Sequence, residues 1–146
     1  MIKLTKDQIK EVAEQLDCGF KCYVNKENGT LQSVINFDNW GGGDEEPWAD
    51  VIKELEENWD KYIEVDGMES RDSFKIMADF AENVDSVDLR ETLIKSLNRK
   101  HPFQNFKWVI DNSGPYRQKW FDFKNQRYIE WVEDQLESFN FTNDNE

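Results

Sequence analysis

After Pro115, the chain runs to about Ser138 without another proline or glycine, and its apolar side chains recur at helical spacing. One row is Tyr116, Trp120, Phe123 and Trp131, with Arg127 set among them; a second is Phe121, Tyr128, Val132 and Leu136. Lys119, Asp122, Gln126, Glu130, Glu133 and Glu137 make up the polar remainder. A helix resting on a surface needs one apolar row. Two rows covering more than half the circumference need cover from two sides, so the spacing predicts the central helix of the fold. Pro115 suits its start, because a first-turn N–H has no helical partner to lose.

Arg117, Lys124 and Arg127 fall on the apolar arc of that helix. Two readings follow. In the first, Arg127 is internal, paired with a carboxylate of the acidic belt described below or stacked on Trp120 or Trp131. In the second, Lys107, Tyr116, Trp120, Lys124, Arg127 and Trp131 form a partly open, cationic, aromatic-lined pocket for a peptide or an anionic small molecule. Internal ion pairs are the commoner arrangement.

With 146 residues the chain fits one domain, expected over 1–140 with a frayed tail at 141–146. Its 31 acids against 18 bases give a net charge of −13, which opposes non-specific binding to nucleic acid or anionic membrane. No apolar run approaches a membrane span, and the opening MIKLTKDQIKEV lacks the apolar core of a signal peptide, so the expected compartment is the cytoplasm. Cys18 and Cys22 would lie about 13 Å apart on one extended segment at ~3.3 Å per residue. That is too far for a disulfide unless the chain bends at Gly19. Two thiols alone also make a poor zinc site, so they read as reduced structural groups.

In chain order, Thr5 and Gln8 form a capping box ahead of Ile9, Val12, Ala13 and Leu16, an amphipathic helix ending near Gly19. Phe20, Cys22 and Val24 alternate with Lys21 and Tyr23 at the strand period; Lys26-Glu27-Asn28-Gly29 is a turn, and Leu31 to Phe37 a returning strand. A Gly41-Gly42-Gly43 linker follows. Pro47 opens a helix whose apolar stripe is Trp48, Val51, Ile52, Leu55 and Trp59. Between positions 38 and 69 twelve acids face only Lys53 and Lys61. This belt, with Asp44, Glu45, Glu46, Asp50, Glu54 and Glu57 at its centre, is either a solvated face or a docking surface for a basic protein or peptide.

Tyr62 to Val65 reads as a third strand. Ser70 is the expected N-cap of the next helix, with Phe74, Met77, Ala78 and Ala81 on one side and Ile76 and Phe80 on the other. Asp85-Ser86 caps a helix with Leu89, Leu93, Ile94 and Leu97 inward, and Pro102 starts one using Phe103, Phe106, Val109 and Ile110. Strands precede helices, so the class is α+β: a small antiparallel sheet, a hairpin plus a third strand, packed with a C-terminal half of about four helices.

Several segments carry a resemblance. They are Tyr62-Ile63-Glu64-Val65, the run Ser70 to Phe80 with its Met77-Ala78-Asp79-Phe80, Leu89-Arg90-Glu91-Thr92-Leu93, Phe103-Gln104-Asn105-Phe106-Lys107, and Trp120-Phe121-Asp122-Phe123 with Trp131. In this order they resemble the motifs of an uncharacterised bacterial protein family, UPF0158, over about residues 1 to 138. This chain departs from the family's usual pattern at His101-Pro102, where Gly and Ala are usual, and at Gln104 and Asn105, where Arg is frequent. The resemblance implies fold and compartment, and the family has no established activity.

For function, the single histidine, His101, stands beside Pro102 at a helix start without a serine elbow or metal cluster. The reading assigns no catalytic residue, no metal and no cofactor. It favours a non-enzymatic acidic binding or regulatory module for a protein or peptide partner, the alternatives being the anion pocket on the last helix and a carboxylate-based hydrolase.

Overall fold

The computed structural model describes residues 2–35 and 48–144. The elements are α1 (Lys6–Asp17), β1 (Phe20–Asn25), β2 (Leu31–Ile35), α2 (Ala49–Glu57), β3 (Tyr62–Val65), α3 (Ser70–Asn83), α4 (Val87–Leu97), α5 (Pro102–Asp111) and α6 (Tyr116–Asp144). They form an α+β fold of six helices and one three-stranded antiparallel sheet among the described residues, in the order β2-β1-β3. Two compact units are distinguished. One is built on the chain up to Gly67 and on α6 from Tyr128 onward; the other is Met68–Arg127. The glycine linker and the acids Asp44, Glu45 and Glu46 lie outside the described residues, as do Asn36 and Phe37 of the expected returning strand.

In the first unit, the Thr5 hydroxyl accepts from the Gln8 N–H at 3.1 Å, and the Gln8 side chain accepts from the Thr5 N–H at 2.8 Å, which starts α1 as the capping box requires. Val12, Ala13 and Leu16 then face one core. The strand period sends Cys22 and Val24 of β1 to that same core, where Val65 of β3 and Val132 and Leu136 of α6 join them. Cys22 lies opposite Ser33 on one side and Val65 on the other. The hairpin turn is tied by Asn25, whose side-chain oxygen accepts from the N–H groups of Glu27 and Asn28 at 2.8 and 3.1 Å. Gly29 has φ +72, so the turn needs glycine for its conformation, and a Cβ there would also press on Leu4 Cδ2 at 3.0 Å.

The α2 stripe ends earlier than expected. Asn58 leaves the helical conformation, and its backbone N–H bonds Glu54 O, closing the helix at Glu57. Trp59 therefore sits in a short 3-10 turn and is 75% exposed instead of continuing the stripe. At the other end of α2, the Trp48 ring rests 5.8 Å from that of Phe20. β3 is fastened to α6 through Asp66. Trp131 Nε1 donates to its carbonyl at 2.7 Å, and the Gln135 amide both donates to that carbonyl and accepts from its N–H. The helix itself runs past the expected Ser138 to Asp144. No breaker intervenes, and the Asn140 side chain exchanges two 2.8 Å hydrogen bonds with the Ile2 backbone.

In the second unit, Glu69 rather than Ser70 caps α3. Its side chain accepts from the N3 backbone while Asp72 accepts from the Glu69 N–H at 3.0 Å, so a carboxylate pair does the work a hydroxyl was expected to do. Ile76, Phe80 and Ala81 form the buried side of α3, and Phe74 is exposed. Ser86 caps α4 as expected, its hydroxyl accepting from Leu89 N–H. Ile94 turns outward and Ser96 takes the buried place, its hydroxyl donating to Thr92 O at 2.8 Å. His101 precedes α5 in the left-handed conformation, φ 57, where it ends the turn from α4. Phe106 and Ile110 of α5 then enter the core, while Phe103 stays exposed. Phe106 and Phe80 both meet Trp120 of α6 edge-on, with centroids 4.9 and 5.3 Å from it.

Phe106 is 1% exposed. Replacing it with alanine should lower the unfolding free energy by about 3–5 kcal/mol. Urea unfolding followed by far-UV circular dichroism measures this; a loss under roughly 1 kcal/mol would mean the ring is not the packing element described.

Candidate functional site

The two rows of α6 are covered as their spacing demands, but the division runs along the helix and not around it. Tyr116, Trp120, Phe121 and Phe123 pack in the cluster of the second unit; Tyr128, Trp131, Val132 and Leu136 pack in the cluster of the first. Trp120 is 7% exposed and is a core side chain. Trp131 is half-buried and spends its N–H on Asp66. The pocket reading required an open Trp120. Its ring is instead enclosed by Phe80 and Phe106.

The cations of the arc are held within the second unit. Arg127 Nη1 donates to Asp79 Oδ2 at 2.8 Å and lies 5.7 Å from the Phe123 ring centre. An internal ion pair was one expectation, but its carboxylate comes from α3 and not from the acidic belt, and the ring is a phenylalanine. Arg117 donates to Asp111 at 3.2 Å and stands 4.8 Å over Phe121, while Lys124 approaches the same ring at 5.2 Å. The Tyr116 hydroxyl donates a hydrogen bond to Asp85 Oδ1 at 2.5 Å. That bond lowers the Asp85 pKa and raises that of Tyr116. Lys107 is exposed on α5.

Of the described belt residues, Asp50 is exposed, Glu57 lies 4.0 Å from Lys53, and Glu54 accepts from the Tyr62 hydroxyl at 3.2 Å. Glu54 thus has a structural task that its place in the charge run did not reveal. Among the described residues, no three His, Cys, Asp or Glu are grouped to hold a metal ion. No helix among them is long and apolar enough to cross a membrane. Cys18 is exposed and Cys22 buried, and both are unbridged. Burial, only partly offset by the Ser33 hydroxyl 3.9 Å away, pushes the Cys22 thiol up to about 11, so it is a poor nucleophile.

One concave feature was not anticipated. A groove of about 240 Å3 lies between α4 and α5, lined by Thr92, Lys95, Ser96 and Arg99 on one side and Asn105, Trp108 and Val109 on the other. Its signal in the sequence is a charge reversal: between Glu91 and Asp111 there are four Lys or Arg and no acid.

The sequence profile described as an uncharacterised protein family, UPF0158, matches residues 1–146. A UPF0158 protein of Pseudomonas aeruginosa is 28% identical over 92 residues, which cover 63% of this chain and 59% of that relative's length. No solved structure matches the chain.

Two measurements test the site as described. A double-mutant cycle on Arg127→Ala and Asp79→Ala should give a coupling of about 0.5–1 kcal/mol that shrinks in high salt, as for a part-exposed pair; a coupling of zero would remove the pair from the structure's account. For Cys22, the folded thiol ionises above the unfolded one. Its contribution is whole below the unfolded thiol's pKa and is lost as pH rises towards about 11. Stability measured from pH 8 upward should therefore fall more steeply in the wild type than in Cys22→Ala; parallel curves would contradict the burial of the thiol.

Proposed function

Since the chain belongs to the uncharacterised protein family UPF0158, whose description states no activity, we propose a function from its own surface: a non-enzymatic module that docks a basic protein or peptide on the acidic region of α2 and β3. The carrying observation is Trp59, 75% exposed in the turn between those elements. Asp60 and Glu57 flank it closely in sequence, and Asp50, Glu56, Glu64 and Asp66 are exposed in the same stretch of the chain. An indole left in water among carboxylates suits lysine or arginine side chains, which gain from the ring face and from the acids together. The exposed free thiol of Cys18 is consistent with work in a reducing compartment such as the cytoplasm.

The alternative anion pocket on α6 draws less support. Arg117 and Arg127 already hold Asp111 and Asp79, and Trp120 is core. A carboxylate hydrolase needs an acid kept protonated, which burial does, and among the described residues no Asp or Glu is buried.

Titration of a labelled Lys/Arg-rich peptide should give binding that weakens steeply from low to physiological ionic strength. Trp59→Ala should weaken it by about 0.5–2 kcal/mol without lowering the melting temperature. Affinity that ignores both salt and Trp59 would overturn the proposal.

A further inference from the structure

The groove between α4 and α5 has a chemistry opposite to that of the acidic region and shares no residue with it. Helical spacing aligns Thr92, Lys95 and Ser96 along one face of α4, Arg99 follows in the turn after the helix, and Asn105 with Trp108 share one face of α5. Trp108 is 69% exposed. Lys100, in the turn between the helices, and Lys107, on α5, are also exposed, and no acid occurs anywhere from Thr92 to Ile110. In a chain of net charge −13, such a run is a local reversal that presents cations beside an open indole.

We propose that this groove binds single-stranded nucleic acid, one base stacking on Trp108 while the adjoining phosphates meet Lys95 and Arg99. An anionic partner follows from the charge. The indole narrows the choice: its face carries partial negative charge, so a carboxylate of an acidic peptide gains nothing there, whereas a nucleobase stacks on it. The Thr92 hydroxyl donates to Asp88 O and the Asn105 amide to Lys100 O, which leaves the Thr92 oxygen and the Asn105 side-chain carbonyl to accept from a base edge. A volume of about 240 Å3 takes one base and not a run of them. The openness at Trp108 favours a strand laid across the groove, with further phosphates reaching Lys100 and Lys107, over an enclosed free nucleotide. A duplex keeps its base faces stacked and offers none to the indole. The acidic remainder of the chain repels a long backbone, so the site takes a short segment, and its affinity depends strongly on salt.

The test is fluorescence anisotropy of short labelled oligo(dT) and oligo(U) with the full chain at low salt. Saturable binding is expected, weakened at least roughly tenfold by Trp108→Ala, largely kept by Trp108→Phe, and abolished by the pair Lys95→Glu and Arg99→Glu. Melting temperatures of all variants should match the wild type, because these side chains line a surface groove; if Trp108→Ala melts early, the Phe variant and the charge reversals carry the test. The proposal is overturned by absence of binding at low salt, by a Trp108→Ala protein that binds like the wild type, by a duplex that binds as tightly, or by polyglutamate displacing the oligonucleotide as well as unlabelled strand does.

Discussion

A helix with apolar side chains around more than half its circumference cannot be satisfied by one neighbour. α6 meets that constraint by lending its two halves to different cores. Its first half gives Trp120 to a cluster made by α3, α4 and α5; its second half gives Val132 and Leu136 to a cluster made by α1, β1 and β3. Burial of apolar area is the main favourable term in each. The polar remainder of the helix, from Lys119 and Asp122 to Glu133 and Glu137, stays exposed throughout, which is what a single strip of solvent contact demands.

The cations of that helix answer to the same constraint. A charge on an apolar arc must find a partner or reach water. Arg127 does so with Asp79, Arg117 with Asp111, and both Arg117 and Lys124 lie over Phe121. These contacts let long side chains cover ring surface while their heads remain hydrated or paired. Their residue types are those of a binding pocket, and their geometry is that of a packed helix. Among the described tryptophans, the two most exposed stand elsewhere: Trp59 in an acidic stretch of the chain and Trp108 in a basic one.

The candidate site was therefore legible in kind but not in place. The aromatic row with interleaved cations brings ring and charge together at Arg117, Lys124 and Arg127, and an internal partner for Arg127 was one of the two readings. Periodicity locates a side chain around an axis, but it does not say which element will cover it, and a tryptophan reads the same whether Phe80 and Phe106 enclose it or water does. Glu54 shows the same limit for the acids, since the Tyr62 hydroxyl takes one carboxylate out of an apparently uniform run. The α4–α5 groove had a signal, the acid-free stretch, but counting charge over the whole chain hides a local reversal.

The order of helices and strands, the capping box at Thr5, the hairpin with its glycine, the start of α5 at Pro102 and the α+β class were set by the chain itself, because each rests on neighbours a few positions apart or on a period within one element. Tertiary structure decided what depends on distant partners: the Arg127–Asp79 pair across 48 positions, the hold of Trp131 on Asp66 across 65, and the tie between Ile2 and Asn140 across 138. It also decided which tryptophans face water. That choice depends on which surfaces meet after the elements form, and no local spacing encodes it.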